Sequence, residues 1–570
     1  MMTELALTRR LRRFALAAGL TLAAAAAHAQ DLPPASASAA APTGGDGYAA
    51  AEAPQDADQA APQSESRSRR HRAEIHPYLE VTQVLSAELE SGGETLTYTT
   101  VAAGVDGSIS TRRVTAQVSY RYERDIAWEG NVADQDVHSG VAMVSAQIVP
   151  GALSLDAGAL ATRTAGDGRV FGVTNRDSAV NVYSFYAGPT VATHAGPLAI
   201  NAAYRFGYVE VDDDRANGTL DDDFDHSSVH SFTASLGMAP GTLPFGWTVG
   251  GGYVRENSGG RFDQRFEGGY IRGDVVVPVG PTLALTAGVG YENMQSDQRD
   301  FVRDVNGFPV IGPNGPIPDP NAPRLLTYDL DGVMYDGGIL WRPSSRTELQ
   351  VRAGHRYGGT TVVGSVDHRF NPDAALHGEV FDSVETFGHL LTTDLNRLPS
   401  NFDAGRDVLT GGLGGCVFGG QGGGVCLDRS LQSINGNTFR MRGGNLVVSG
   451  TRGLWSYGVG AGYANRRYYV PVGLGQTSVA TEDETYSVYG TVGRRLSRTS
   501  QIDFTAFASW YDSDLVGTDG VSTIGANVDY SRTFMLDRLQ LLAALGLYHS
   551  DSGSDSSTVA SGLAGLRYTF

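Results

Sequence analysis

Arginine and carboxylate residues recur at every second position in several stretches of this chain. That spacing decides what they could do. Arg113, Arg121 and Glu123 belong to one such set; Arg205, Glu292, Arg352, Arg356 and Arg567 belong to others. A period of two puts these side chains on one face of an extended strand. If several such faces line a shared interior, the charges set up a field that sorts solutes by sign. If opposite charges meet across the strands, they neutralise one another and stiffen the wall. Both readings stand at this level.

Other groups offer less chemistry. Asp212, Asp213 and Asp214, with Asp221, Asp222, Asp223 and Asp225, make an acidic stretch. Clustered carboxylates suit a hard cation such as Ca²⁺, but the spacing is not that of an EF-hand loop, so no metal is expected. His226 and His230 lie close together and His355 and His368 fall on successive extended segments, and neither pair has a Ser or Cys at triad-like spacing. The Gly-x-Gly patterns lie inside extended segments and not before helices, which argues against phosphate loops. No cofactor and no enzymatic activity are expected. Cys416 and Cys426, the two cysteines, stand near each other in a Gly-rich stretch. They suit a local disulfide in an oxidising compartment and do not make a zinc pattern.

Composition narrows the partners. The chain has 570 residues, 74 of them Gly and 25 Tyr, and its 43 basic residues are all Arg. The net charge of −19 lacks the basic footprint of a nucleic-acid binder.

Residues 1–29 read as a cleaved secretory signal peptide. Arg9, Arg10, Arg12 and Arg13 precede an apolar run from Phe14 to Ala27 and an Ala27-His28-Ala29 site. Residues 30–72 hold almost no large apolar side chains and are expected to be a disordered periplasmic segment. Its end is basic, with Arg67, Arg69, Arg70, His71 and Arg72.

From residue 73 to the end the chain alternates. Val114, Ala116, Val118, Tyr120 and Tyr122 interleave with polar residues, as do Ile502, Phe504, Ala506, Ala508 and Trp510. Aromatics gather at the ends of the apolar stripes, as they do at membrane interfaces. Short turns such as Pro150-Gly151 and Gly280-Pro281 alternate with long loops such as 296–326 and 388–437. The expectation is an all-β fold: a transmembrane antiparallel up-and-down β-barrel of about 22 strands, with both ends on the periplasmic side. The final stretch places Ala560, Gly562, Ala564, Leu566, Tyr568 and Phe570 on one face and Ser561, Gly565, Arg567 and Thr569 on the other, with Val559 and Leu563 as exceptions. It resembles the C-terminal signature of bacterial outer-membrane barrels, in which Tyr568 and Phe570 would be the assembly signal and the last strand would pair with the first.

A phrase recurs before two strands. It reads Trp341-Arg342-Pro343-Ser344-Ser345-Arg346-Thr347-Glu348-Leu349 and again Arg494-Arg495-Leu496-Ser497-Arg498-Thr499-Ser500-Gln501-Ile502. Here the chain resembles the outer-membrane β-barrel porin family of Gram-negative bacteria, including barrels associated with exopolysaccharide and exosortase systems. The resemblance covers most of residues 75–570 and carries no catalytic residues. It implies a place in the outer membrane among lipid and lipopolysaccharide, insertion by the barrel assembly machinery, and exopolysaccharide export proteins as partners.

The expected function is a porin-like passive channel for small solutes, its lumen lined by the Arg and carboxylate set above. Residues 388–437 are expected to fold into the mouth or lumen, clipped by Cys416–Cys426; the alternative is a surface loop with a stapled tip. The alternatives for function are an outlet for exopolysaccharide and a structural barrel without an open pore.

Overall fold

The computed structural model describes residues 72–89, 95–129, 135–164, 180–212, 224–260, 263–312, 315–399, 402–403, 406–409, 415–419, 423–431, 434–470, 481–514, 520–553 and 556–570. The signal peptide, all but the last residue of the 30–72 segment, and Asp213 to Asp223 of the acidic stretch lie outside them.

The first eleven strands are β1 (Arg72–Glu88), β2 (Thr95–Ser110), β3 (Val114–Glu129), β4 (Gln135–Val149), β5 (Leu153–Thr164), β6 (Val180–Ala195), β7 (Leu198–Asp212), β8 (His226–Met238), β9 (Gly246–Ser258), β10 (Arg265–Pro278) and β11 (Leu283–Gln298). A small hairpin, β12 (Ile311–Gly312) and β13 (Gly315–Pro316), stands apart from the main sheet. The wall resumes with β14 (Leu325–Ser344), β15 (Thr347–Arg356), β16 (Gly359–Asn371) and β17 (Ala374–Glu385). An insertion follows, made of α1 (Phe387–Asn396), β18 (Phe402–Asp403), β19 (Cys416–Gly419), β20 (Gly424–Cys426) and α2 (Asp428–Leu431). The last strands are β21 (Phe439–Arg452), β22 (Trp455–Tyr468), β23 (Glu482–Arg495), β24 (Ser500–Ser513), β25 (Val521–Phe534), β26 (Leu539–Asp551) and β27 (Ser556–Thr569).

Twenty-two of these strands form one antiparallel sheet. It closes because β27 pairs with β1, from Tyr78 opposite Thr569 to Glu88 opposite Val559. Closure leaves no strand edge without a hydrogen-bonding partner, the condition for a sheet in hydrocarbon.

Alternation along each strand separates two surfaces. In β1, Tyr78, Glu80, Thr82, Val84 and Ser86 are buried inside, while Leu79, Val81 and Leu85 are about half exposed outside. Ile271 on β10, Val289 on β11, Val333 on β14, Phe504 on β24 and Leu566 on β27 continue that outer apolar belt. A belt of this extent around a whole molecule is tolerable only against lipid. The protein is therefore an outer-membrane β-barrel, with the short turns, the start of β1 and the end of β27 at one rim, the periplasmic one, and the long connections at the other.

Candidate functional site

The interior is organised by the insertion between β17 and β21. These two strands are hydrogen-bonded neighbours, so the chain leaves the wall at the external mouth and returns beside its point of departure. Helix α1 starts at Thr386, and a wall carboxylate meets that start. Glu256, at the external end of β9, accepts the backbone N–H of His389 at 2.8 Å and the Thr386 hydroxyl. A helix N-terminus leaves its first N–H groups without intrahelical partners and carries partial positive charge, so a carboxylate there stabilises it.

The apolar face of α1 packs on the inside of the wall. Leu391 and Leu395 are fully buried, and the Phe387 ring meets Phe224 edge-on at 5.0 Å. One core joins Phe387, Leu391, Leu395, Leu398, Val417 and Leu431 of the insertion to Val141, Leu160, Val182, Tyr186, Val209 and Val211 of β4–β7. The alternation rule makes an inner barrel face polar. Here it is apolar, because the insertion replaces water as its neighbour.

Below α1 the insertion goes deeper than the mouth and enters the lumen, the inner of the two places expected for residues 388–437. Asn396 accepts from Arg205 Nε at 3.0 Å. The backbone of Phe402 exchanges two hydrogen bonds with the Gln117 side chain, near the periplasmic start of β3. Asp407 accepts from Asn527 at 2.8 Å and from the Tyr548 hydroxyl at 3.1 Å on β25 and β26. Leu409 sits in an apolar cluster with Val84, Tyr98, Ala544, Val559 and Leu563. Val559 and Leu563, the two exceptions of the terminal strand, thus face inward against the insertion.

Cys416 and Cys426 are disulfide-bonded and lie opposite each other on β19 and β20. Both are buried against β22, where a Cβ on Gly460 would stand 2.5 Å from Cys416 Sγ. Any other residue at 460 would hold the hairpin off the wall. The chain climbs back through α2, where Arg429 pairs with Glu379 at 2.8 Å and with Asp394. Burial works against the Arg429 charge, but Asp394 and Glu379 more than offset it and push its pKa up.

The charged wall residues form paired networks. Arg272 and Arg352 share Asp274 and Asp336, with four contacts of 2.6, 2.9, 2.5 and 2.7 Å across β10, β14 and β15. Strand β11 runs beneath this square at Gly288, where a Cβ would stand 2.5 Å from Asp274 and 2.9 Å from Arg352. Arg356 pairs with Glu292 at 3.0 Å, and Glu292 also accepts the Tyr357 backbone N–H. At the closing seam Glu80 takes Arg567 at 2.6 Å and Arg121 at 2.8 Å, and Arg121 also holds Glu123 at 2.7 Å. Arg205 pairs with Asp156 at 3.0 Å. Buried pairs of this kind are costly to break and neutral as a set.

Seven of the eight candidate lining residues therefore face inward in ion pairs: Arg121, Glu123, Arg205, Glu292, Arg352, Arg356 and Arg567. Arg113 does not; it is exposed at the periplasmic turn between β2 and β3. The alternation there runs past the end of the strand, which starts at Val114. The partners Glu80, Asp274 and Asp336 obey the same period-two rule and would have been found by applying it to carboxylates. Asp394 and Arg429 lie in the insertion, where no period marks them.

A cavity of about 510 Å³ remains beneath the insertion on the periplasmic side. It is lined by Glu74, His76, Gln117 and Arg121 of the wall and by Phe402 and Arg406 of the insertion. Among the described residues no three of His, Cys, Asp and Glu stand together as a metal site.

No family model matches the chain, and no curated protein matches it. Solved structures do match. The FrpB iron transporter from Neisseria meningitidis (F5-1 variant) is 10% identical with a TM-score of 0.43, over 87% of this chain and 82% of that one. The siderophore receptor PiuA from Acinetobacter baumannii is 11% identical with a TM-score of 0.43, over 86% and 82%. The closed form of the ferric-catecholate import receptor Fiu from E. coli K12 is 9% identical with a TM-score of 0.44, over 86% and 82%. Similarity at this level extends no ligand to this chain.

Proposed function

We propose that the protein is a porin-like passive channel for small solutes in which the insertion leaves a narrow route instead of a wide pore. The observation that supports this is the reach of the insertion, tied to the wall from Glu256 at the mouth to Gln117 in the periplasmic third. A barrel of 22 strands is wide enough to need filling or to stand open. Because Arg121, Arg205, Arg272, Arg352, Arg356 and Arg567 are each matched by a carboxylate, the route discriminates weakly by charge.

The test is single-channel conductance of the refolded mature barrel in a planar bilayer. It should give small, steady openings with weak ion selectivity. A variant with residues 387–437 replaced by a short Gly-Ser link should conduct several-fold more. Equal conductance of the two would overturn the reading. The cavity beneath Phe402 and Arg406 favours a second reading, an outlet opened by a periplasmic partner such as an exopolysaccharide export component. A silent wild type beside a conducting deletion variant would select it.

A further inference from the structure

The periplasmic rim of β21–β26 differs in charge from the rest of the molecule. Arg452, Arg494, Arg495, Arg498, Arg532 and Arg538 are all exposed there. Among the described residues none of the six pairs with a carboxylate. Asp537 is the acidic residue of the β25–β26 turn, and it is engaged by the Thr533 hydroxyl at 2.8 Å. Asp503 lies on the opposite, inner face of β24, one position from the lipid-facing Phe504. The external ends of β23–β26 carry Glu482, Glu484, Asp512 and Asp551 instead. The chain as a whole is acidic at −19, so this basic edge is not a by-product of composition.

The arginines stand where the barrel wall meets the lipid edge. Arg452 is opposite Trp455, and Trp455 is opposite Arg494 in the next pair, so one outward row crosses three strands. The Arg494 guanidinium lies over the Trp455 ring at 4.8 Å, and that of Arg532 over Phe534 at 5.1 Å. Trp455 and Phe534 are exposed on the outer face. A ring face attracts a cation and holds it at the height of the ring, which for interfacial aromatics is the headgroup layer. Leu454, Leu496, Met535 and Leu536 are exposed at the adjoining turns. Guanidinium groups held at the lipid edge without a carboxylate partner match a phosphodiester, which guanidinium can bind through two parallel hydrogen bonds.

We propose that this rim is a binding site for anionic phospholipid headgroups of the periplasmic leaflet. Arg452, Arg494 and Arg532 contact the phosphates, while Trp455 and Phe534 hold the guanidinium groups of Arg494 and Arg532 at the headgroup layer. The site anchors β21–β26 at a fixed depth and is independent of what passes through the barrel.

The experiment reconstitutes the mature barrel in phosphatidylcholine vesicles with rising phosphatidylglycerol. Tryptophan quenching by brominated phosphatidylglycerol, relative to brominated phosphatidylcholine, gives the preference for the anionic lipid at the barrel surface. Replacing Arg452, Arg494 and Arg532 together by Gln should lower that preference on the order of a hundredfold, at about fivefold for each Arg near an anionic surface. An unchanged preference overturns the proposal. If that variant does not insert, the turn set Arg495→Gln, Arg498→Gln and Arg538→Gln serves, with a smaller loss expected and no loss overturning the proposal. Loss of the wild-type preference on adding millimolar inorganic phosphate would also overturn it, since the site would then be one for soluble phosphate.

Discussion

Two sectors of the inner wall solve the same problem in opposite ways. Along β4–β7 the inward side chains are Val141, Leu160, Val182, Val209 and Val211, covered by the insertion. Along β10–β15 they are Arg272, Asp274, Asp336 and Arg352, covered by one another. The backbone is the same antiparallel ladder in both. The difference shows that the inner face of a wide barrel has no fixed polarity. It follows what stands in front of it: an apolar partner makes it apolar, and without one the side chains must supply their own counter-charges. The first sector is a core in the ordinary sense, with tolerances set by volume. The second is a charge square with tolerances set by stoichiometry.

The comparison breaks most sharply at Asp336. Asp336→Ala leaves two buried guanidinium groups with one carboxylate and should cost about 3–5 kcal/mol in urea unfolding from vesicles. Adding Arg352→Met should recover a large part of the loss, because the surviving pair is again balanced. If the double variant is as unstable as the single one, the square is not a charge unit. In the other sector Leu391→Ala should cost about 2–4 kcal/mol, and the loss should fall on the insertion. Trypsin cleavage within residues 397–429 should rise, while the barrel still migrates as a folded species on an unheated gel. A barrel that unfolds as a whole would show that the two sectors are one cooperative unit. The smallest effect belongs to a pair outside both sectors: Arg124 and Asp136, 2.9 Å apart and about half exposed. Arg124→Ala should change stability by less than about 1 kcal/mol, and a larger loss would mean that surface pairs on this barrel act as buried ones do.

The wall was legible in the sequence because lipid on one side forces a regular signal. The short turns, the pairing of the last strand with the first and a count of about 22 all follow from alternation and turn residues. Where the inner neighbour changed, the signal changed. Val559 and Leu563 broke the alternation of β27 since they pack on Leu409, which a reading of one strand at a time cannot know. Arg113 kept the alternation but lies beyond the strand, where no lumen faces it. The insertion was visible as a long connection with leucines at near-helical spacing and two cysteines. Its depth was not, because the residues that receive it, Gln117, Arg205 and Asn527, carry no local mark of a partner. The acidic stretch 213–223 falls outside the described residues.

The insertion returns to the strand beside the one it left, yet its ties are distant in sequence. Asn396 meets Arg205 across 191 residues, Leu431 meets Thr164 across 267 and Phe402 meets Gln117 across 285. The ladder and the ion-paired square need none of these contacts, so the ring can close first. The docking surface for the insertion exists only once β3–β9 have taken their places, and contacts of such sequence separation form slowly. The expected order is a wall that closes before it is filled, with a hollow cylinder in between; trypsin cleavage within residues 397–429 that disappears later than the barrel gains its folded mobility on an unheated gel would show it.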